Sequence, residues 1–308
     1  MGYRQSGYNA EFEGSFTSDD AQLNTLWTKA RDTLYVTMRD TFMDCPDRER
    51  TQWLGDGVNE MQMASYSLST DSKLLSKKLI GNILGYAGDK GELPTIAPSE
   101  KWYELPAQSL AGVMSFYMYY LYNGDEEVIN EAYGPSCKYL MLFDMNDNGV
   151  VKNREGNWNW SDWGDNCDQD LIINAWYYIA LDRTIKMSEV IGVSDNDKQV
   201  QELKTRKKSI EENFDKVFWN SDGYYRSKGL RVTDDRGNAM AVIAGLAKKE
   251  NYPQIRQVLT TQELASPYME KYVLEALFKM GYDNDAYTRM RSRYSSMINS
   301  SNTTLMEC

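Results

Sequence analysis

Leu171-Ile172-Ile173-Asn174-Ala175-Trp176-Tyr177-Tyr178-Ile179-Ala180-Leu181 is apolar on nearly every side. A helix of that texture is buried all round rather than laid on a surface. The stretch 197–218 reads the opposite way: Val200, Leu203, Ile210, Phe214 and Val217 recur among Lys, Glu and Arg, which makes one apolar stripe on a solvated helix. The same contrast pairs the tyrosine-rich, apolar 106–122 with the more charged 125–143. Short turns join the partners, namely Asn123-Gly124-Asp125, Gly192-Val193-Ser194-Asp195 and Gly281-Tyr282-Asp283. In each, glycine suits the left-handed position that ends one helix, and Asp or Ser suits the cap of the next.

Eleven segments read as helical: 19–40, 55–69, 71–87, 106–122, 125–143, 169–192, 197–218, 236–249, 252–260, 267–280 and 283–299. Seven prolines in 308 residues leave these largely uninterrupted. Strand-like alternation is scarce, and 222–233, DGYYRSKGLRVT, is the best candidate for a short hairpin. Buried helices alternating with amphipathic ones through tight turns predict an all-α fold with an inner and an outer ring, closed as an (α/α) toroid. A helical solenoid is the alternative, but no fixed repeat is visible. Toroids of this kind carry their sites on the loops at one end of the inner ring, so the acidic loops are the places to look.

Composition narrows the chemistry. There is no histidine, and the formal net charge is −11. Ser-His-Asp and Cys-His nucleophiles, the HExxH zinc site and any histidine relay are therefore excluded, and proton transfer falls to carboxylates. An isoelectric point near 4.7 argues against nucleic acid or an anionic membrane as partner. No stretch approaches eighteen uninterrupted apolar residues. The opening MGYRQSGYNAEFEG lacks an apolar signal core. That leaves periplasmic, secreted and cytoplasmic locations open. Cys45, Cys137, Cys167 and Cys308 form neither CxxC nor a metal spacing. They read as reduced structural thiols, and no cofactor or metal is expected.

Three clusters stand out. In 44–56, DCPDRERTQWLGD, four acids, two arginines and a tryptophan fall within thirteen residues after a helix-ending proline. Carboxylates there could accept sugar hydroxyls, Arg48 or Arg50 could orient them, and Trp53 could stack on C–H bonds; a solvated loop with exposed ion pairs is the plainer reading. One acid, desolvated against Trp53 and crowded by like charge, would hold its proton near neutral pH. In 157–166, NWNWSDWGDN, three tryptophans alternate with amides and acids. Buried amides need partners and exposed indoles waste apolar surface, which a carbohydrate cleft resolves and a structural turn over the barrel end does not exclude. The ending 302–308, NTTLMEC, reads on composition alone as a frayed tail.

Taken together and in this order, the clusters resemble the catalytic domain of bacterial α-L-rhamnosidases, glycoside hydrolase family 78. The matching residues are Asp44-Cys45-Pro46 with Arg48-Glu49-Arg50, Trp53 with Gly55-Asp56, Trp163-Gly164-Asp165, Asp235-Arg236-Gly237-Asn238-Ala239, Ser266-Pro267-Tyr268 and Thr303-Thr304-Leu305-Met306-Glu307. The resemblance covers roughly 15 to 308, taken as one catalytic domain after an N-terminal extension of residues 1–14. It implies the six-hairpin (α/α)6 fold and an inverting hydrolysis that needs about 6.5–9.5 Å between two carboxyl groups. By motif, Glu49 takes the place of the general acid and Glu307 that of the general base. Asp44, Arg48, Trp53 and Asp56 take the places of rhamnose contacts, Trp163 and Asp165 those of further subsite residues, and Trp102 and Trp160 join them on weaker grounds. Asp235 and Arg236 match a family motif but read equally as a buried ion pair fixing a helix start.

The sequence also departs from the family pattern. Thr51-Gln52 stand where Leu-Gly is common, and Met306 where Trp is frequent. The family continues past the base into another helix bearing an Asn-His pair, whereas here a single residue follows Glu307. Eleven helices rather than twelve agree with a toroid short of its last member. The usual β-sandwich accessory domains are also missing. The resemblance therefore implies hydrolysis of terminal α-L-rhamnosyl residues of plant polysaccharides or glycosides. The alternatives are a non-catalytic carbohydrate-binding remnant on this fold and another six-hairpin hydrolase.

Overall fold

A computed structural model describes Gly2 and residues 7–306. Among them it forms twelve α-helices: α1 (Ala21–Val36), α2 (Leu54–Ser67), α3 (Ser72–Gly85), α4 (Pro106–Asn123), α5 (Glu126–Met141), α6 (Gln169–Val190), α7 (Lys198–Phe218), α8 (Asp235–Ala244), α9 (Tyr252–Thr261), α10 (Pro267–Met280), α11 (Asp283–Arg293) and α12 (Ser295–Asn299). The ends follow from local chemistry. Asp20, Asp168, Asp197, Asp234 and Ser266 cap their helices by accepting backbone N–H groups, each contribution being worth about 1 kcal/mol. Gly124 and Gly281 sit left-handed, at φ 66° and 83°, where α4 and α10 stop.

Helices α2, α4, α6, α8 and α10 pack side by side in chain order and form the inner layer. Helices α1, α3, α5, α7, α9 and α11 lie outside them. Burial separates the two layers as the apolar patterns predict. Every residue from Leu171 to Leu181 of α6 is buried, while α7 buries only Val200, Leu203, Ile210, Phe214 and Phe218. Trp176, Tyr119, Tyr139, Tyr177, Phe116 and Phe214 fill the core, and burying a large apolar side chain contributes about 1.5–3 kcal/mol. Between α10 and α2 the ring is closed by side chains. Lys271 donates to Asn59 Oδ1 (3.2 Å) and to Gln62, and the Tyr272 hydroxyl lies 3.1 Å from Asn59 Oδ1.

Four local expectations are corrected. The hairpin at 222–233 does not form; among the described residues only an isolated bridge joins Trp219 to Tyr225. Two of its central backbone donors go to side chains, Tyr225 N–H to Asn238 and Ser227 N–H to Asp168, and Arg226 N–H goes back to Phe218 O (2.8 Å), so no ladder forms within the segment. Helix α8 ends at Gly245, φ 78°, short of 249. The last segment breaks at Tyr294 into α11 and α12. The cap of α7 is Asp197 rather than Ser194 or Asp195. At the N-terminus, 8–14 pack against the turn after α2. The Tyr8 hydroxyl donates to Asp71 O (2.8 Å), Ser69 N–H to Glu11 O (2.8 Å) and Gly14 N–H to Ser67 O (3.1 Å).

Candidate active site

The N-terminal ends of α2, α4 and α10 and the loop before α6 meet in a cleft. Its lining includes Asp44, Arg48, Glu49, Trp53, Asp56, Gln108, Trp158, Trp160, Trp163 and Tyr268. Helix N-termini carry partial positive charge, which suits a cleft bearing three carboxylates. Gly55 allows the floor to close: a Cβ there would lie 2.9 Å from both Gln108 Cδ and Tyr268 Oη. Its N–H donates to Gln108 Oε1 at 3.1 Å.

The acidic loop 44–51 is pinned at its neck. Asp44 N–H donates to Thr51 O (3.0 Å), and Thr51 N–H donates to Asp44 Oδ1 (2.9 Å). Arg50 turns the loop with a left-handed φ of 54°, a conformation that costs a non-glycine residue of order 1 kcal/mol. At the tip, Arg48 Nε donates to Glu49 Oε2 at 2.6 Å, and the Cys45 thiol donates to the same oxygen at 3.3 Å. Burial pushes the Glu49 carboxyl up, but the hydrogen bonds from Arg48, Cys45 and Asp44 outweigh it and hold the group down at about 2. Burial raises Asp44, aided by the charge of Glu49 and opposed by the Thr51 and Cys45 N–H groups. The two neighbouring carboxyls are thus pushed apart, Glu49 held low and Asp44 raised. Asp44, Cys45 and Glu49 bring three ligand-type atoms within 4.8 Å, already engaged with one another and with Arg48.

The opposite wall is aromatic. Trp158, Trp160 and Trp163 stack with centroids 6.3, 5.9 and 5.7 Å apart, and Trp160 lies 5.2 Å from Tyr268. Trp158 and Trp163 are 48% and 39% exposed, Trp160 only 8%. The Trp160 indole N–H is buried and has no protein acceptor, a condition that calls for an explanation in a well-formed protein. The polar residues between the tryptophans serve the scaffold rather than the cleft. Asn157 exchanges hydrogen bonds with the Glu104 backbone, and Asp162 accepts the Ser266 N–H at 2.9 Å.

The remaining sequence candidates fall elsewhere. Trp102 lies apart from the cleft, in a shallow recess with Tyr86 and Lys90, and its N–H donates to Tyr86 O (3.0 Å). Asp165 is exposed; its carbonyl accepts from Arg236, and its carboxylate is not among the groups lining the cleft. Glu307, with Cys308, lies outside the described residues. The tail before it is docked rather than frayed. Leu305 N–H donates to Thr33 (2.7 Å), and Lys29 Nζ holds the carbonyls of Met297, Ile298 and Ser300. Thr304, Leu305 and Met306 line a second, largely apolar recess that shares Asp44, Asp56 and Tyr268 with the cleft. Trp158, Gln108 and Tyr268 were not singled out as site residues by sequence. Trp158 was legible inside its tryptophan cluster, whereas Gln108 lies in an unremarkable apolar helix.

Glu60 stands at the back of that second recess. The Thr37 hydroxyl lies 2.6 Å from Glu60 Oε1 and 2.8 Å from Leu34 O. A hydroxyl has one proton, so both contacts are satisfied together only when Glu60 is itself protonated and donates to Thr37. Burial, opposed by the Thr37 bond and reinforced by Asp56 and Asp44, pushes Glu60 well above the usual carboxylate range. A raised folded pKa means that the stabilising proton is present at low pH and lost as pH rises. Glu60→Gln, which stays neutral, therefore raises Tm relative to wild type at pH 8 by about 2 °C or more and changes it little near pH 4. Thermal melts at the two pH values check this, and equal offsets at both would contradict a protonated Glu60.

Residues 11–308 match the family described as the bacterial alpha-L-rhamnosidase 6 hairpin glycosidase domain. Among curated relatives, an alpha-L-rhamnosidase of Formosa agariphila is 27% identical over 226 residues, which is 67% of this chain and 23% of that protein. Among solved structures, the glycoside hydrolase family 78 rhamnosidase of Bacillus sp. GL1 superposes with a TM-score of 0.88 at 24% identity, over 99% of this chain and 33% of that one. A rhamnosidase of Klebsiella oxytoca with rhamnose bound gives a TM-score of 0.82 at 20% identity, over 94% and 58%. The chain thus spans between about a quarter and three-fifths of the length of these relatives.

Proposed function

The chain belongs to the bacterial alpha-L-rhamnosidase six-hairpin glycosidase family, and from that premise we propose that its cleft hydrolyses terminal α-L-rhamnosyl residues with inversion. Glu49 is the general acid and Glu307 the general base. The acid gives its proton to the glycosidic oxygen as the C–O bond breaks, and the base takes a proton from water as the water oxygen bonds to the anomeric carbon from the opposite face. Asp44, Arg48, Trp53, Asp56, Trp160 and Trp163 hold the sugar. The observation that carries this reading is the cleft itself, which sets the indoles of Trp158 and Trp163 beside the carboxyls of Asp44, Glu49 and Asp56. Sugar hydroxyls pair with the carboxyls, and C–H faces cover the exposed indoles.

The carboxyl pair fits this chemistry in sequence. With Arg48 on Glu49, that carboxyl is held low while Asp44 is raised. When Arg48 turns its guanidinium to the sugar, Glu49 loses the bond that holds it ionised and takes up the proton it delivers. Activity then falls as pH rises through the upper apparent pKa of the pair. Asp44→Asn removes the neighbouring carboxylate whose charge discourages ionisation of Glu49, so the basic limb of kcat/KM moves to lower pH and the rate at neutral pH drops. A pH–rate profile reads this directly, and a limb left in place would remove Asp44 from that role.

The test of the function is release of nitrophenol from p-nitrophenyl α-L-rhamnoside. Release sensitive to Glu49→Gln supports the proposal. Calorimetric binding of L-rhamnose without turnover would leave a carbohydrate-binding domain on this fold. Turnover of other glycosides but not of rhamnosides would point to another six-hairpin hydrolase.

A further inference from the structure

We propose that Arg236, outside the cleft, is a positioning residue that fixes the two parts of the aromatic wall of the sugar site, the tryptophan loop and the helix start bearing Tyr268, through one buried ion cluster. The proposal rests on the reading of the cleft as a rhamnoside site. Arg236 is fully buried at the start of α8, behind the tryptophan loop. Its Nε donates to Asp234 Oδ1 at 2.7 Å. The other two nitrogens go to the main chain of the loop, Nη1 to Trp163 O at 2.9 Å and Nη2 to Asp165 O at 2.8 Å. Nη1 also lies 3.4 Å from Asp162 Oδ2. Asp162 in turn accepts the N–H of Ser266 at 2.9 Å and the Ser266 hydroxyl. Ser266 caps α10 two residues before Tyr268, whose ring faces Trp160 across 5.2 Å. One guanidinium and one carboxylate thus tie together the loop bearing Trp163 and the helix start bearing Tyr268.

The loop needs such fixation. Gly164 and Asn166 both take left-handed conformations, at φ 87° and 58°, and a non-glycine residue stays there only when its surroundings over-determine it. Stability alone does not call for this cluster, because well-packed apolar residues commonly serve as well as a buried ion pair or better. What an apolar replacement lacks is a rigid fork of donors aimed at two carbonyls of one turn. With that fork in place, Trp160 and Trp163 meet substrate in a geometry set beforehand.

The test compares three substitutions in the full chain. Arg236→Lys keeps the charge and loses the fork. Ser266→Ala removes only the hydroxyl bond to Asp162. Arg289→Lys is the control, a buried arginine bound to Asp235 and Glu270 between α10 and α11. The readouts are the circular-dichroism exciton band of the coupled indoles, the helical signal, Tm, and KM against kcat for p-nitrophenyl α-L-rhamnoside. Arg236→Lys is expected to weaken the exciton band and raise KM about tenfold, the loss of one good contact, with the helical signal intact. Ser266→Ala shifts both in the same direction by less. Arg289→Lys lowers Tm and moves neither. Lowered stability with an unchanged exciton band and KM would overturn the proposal. If Arg236→Lys does not fold, Ser266→Ala decides by the same two readouts. The exciton band needs no ligand, so it judges the positioning role even if the wild-type chain neither hydrolyses nor binds a rhamnoside.

Discussion

Glu49→Gln lowers kcat on an unactivated α-L-rhamnoside by about 10³-fold, within the span usual for removing a general acid, and leaves Tm almost unchanged. The two halves of this result have different causes. The carboxyl is 34% exposed, and its Arg48 partner is 61% exposed; an ion pair so open to water is worth about 0–1 kcal/mol to folding. The rate depends on the proton that the carboxyl delivers, which an amide cannot supply. Nitrophenolate leaves with less help than an alkoxide, so the loss on p-nitrophenyl α-L-rhamnoside is smaller than on an alkyl rhamnoside. That dependence on the leaving group separates a missing acid from a disturbed site, which would slow both substrates alike. Full rate on the alkyl substrate would remove Glu49 from the role.

Arg289→Leu has the largest expected effect on stability, a loss of about 3–5 kcal/mol, which corresponds to a Tm lower by roughly 10 °C. Arg289 Nη2 donates to Asp235 at 2.7 Å and Glu270 at 2.8 Å, and its Nε donates to Glu270 at 2.6 Å. Its Nη1 donates to the carbonyls of Leu259 and Gln262, both at 2.6 Å. Leucine takes the guanidinium donors from two buried carboxylates and two carbonyls; Asp235 keeps the N–H groups of Arg236 and Ala265, and Glu270 keeps Arg293 at 3.6 Å. A Tm within about 2 °C of wild type at neutral pH would show that the cluster relaxes around the loss.

The fold was legible because its signal is periodic. The all-round apolar 171–181 and the striped 197–218 became an inner and an outer helix with boundaries close to those expected. Turn chemistry was legible where glycine ends a helix, as at Gly124 and Gly281. It was less so where several acids compete to cap the next: Asp197 outcompetes Ser194 and Asp195, while Asp125 spends its carboxylate on Lys77 (3.0 Å). The hairpin at 222–233 failed for a reason local alternation cannot show, since two of its donors were claimed by side chains outside it, Asp168 at the start of α6 and Asn238 in the helix that follows.

The site was legible in its parts and not in its assembly. The acidic loop and the tryptophans could be found by residue type, and the cleft brings Asp44, Arg48, Glu49, Trp53, Asp56, Trp160 and Trp163 together. Residue type could not tell which polar groups face the cleft and which face scaffold. Asp162 looked like part of the tryptophan site and instead anchors Ser266, while Trp102 is bound to Tyr86 away from the cleft. Nor could it show that Arg48 sits on Glu49 and holds it low while Asp44 is raised, because that depends on a loop folded back on itself.

The most direct measurement of the central claim is the proton NMR spectrum of the first sugar released from an α-L-rhamnoside, recorded before mutarotation. An acid and a base acting from opposite faces predict β-L-rhamnose as the first product, converting slowly to the α anomer. The α anomer appearing first, or no release of rhamnose at all, would contradict it.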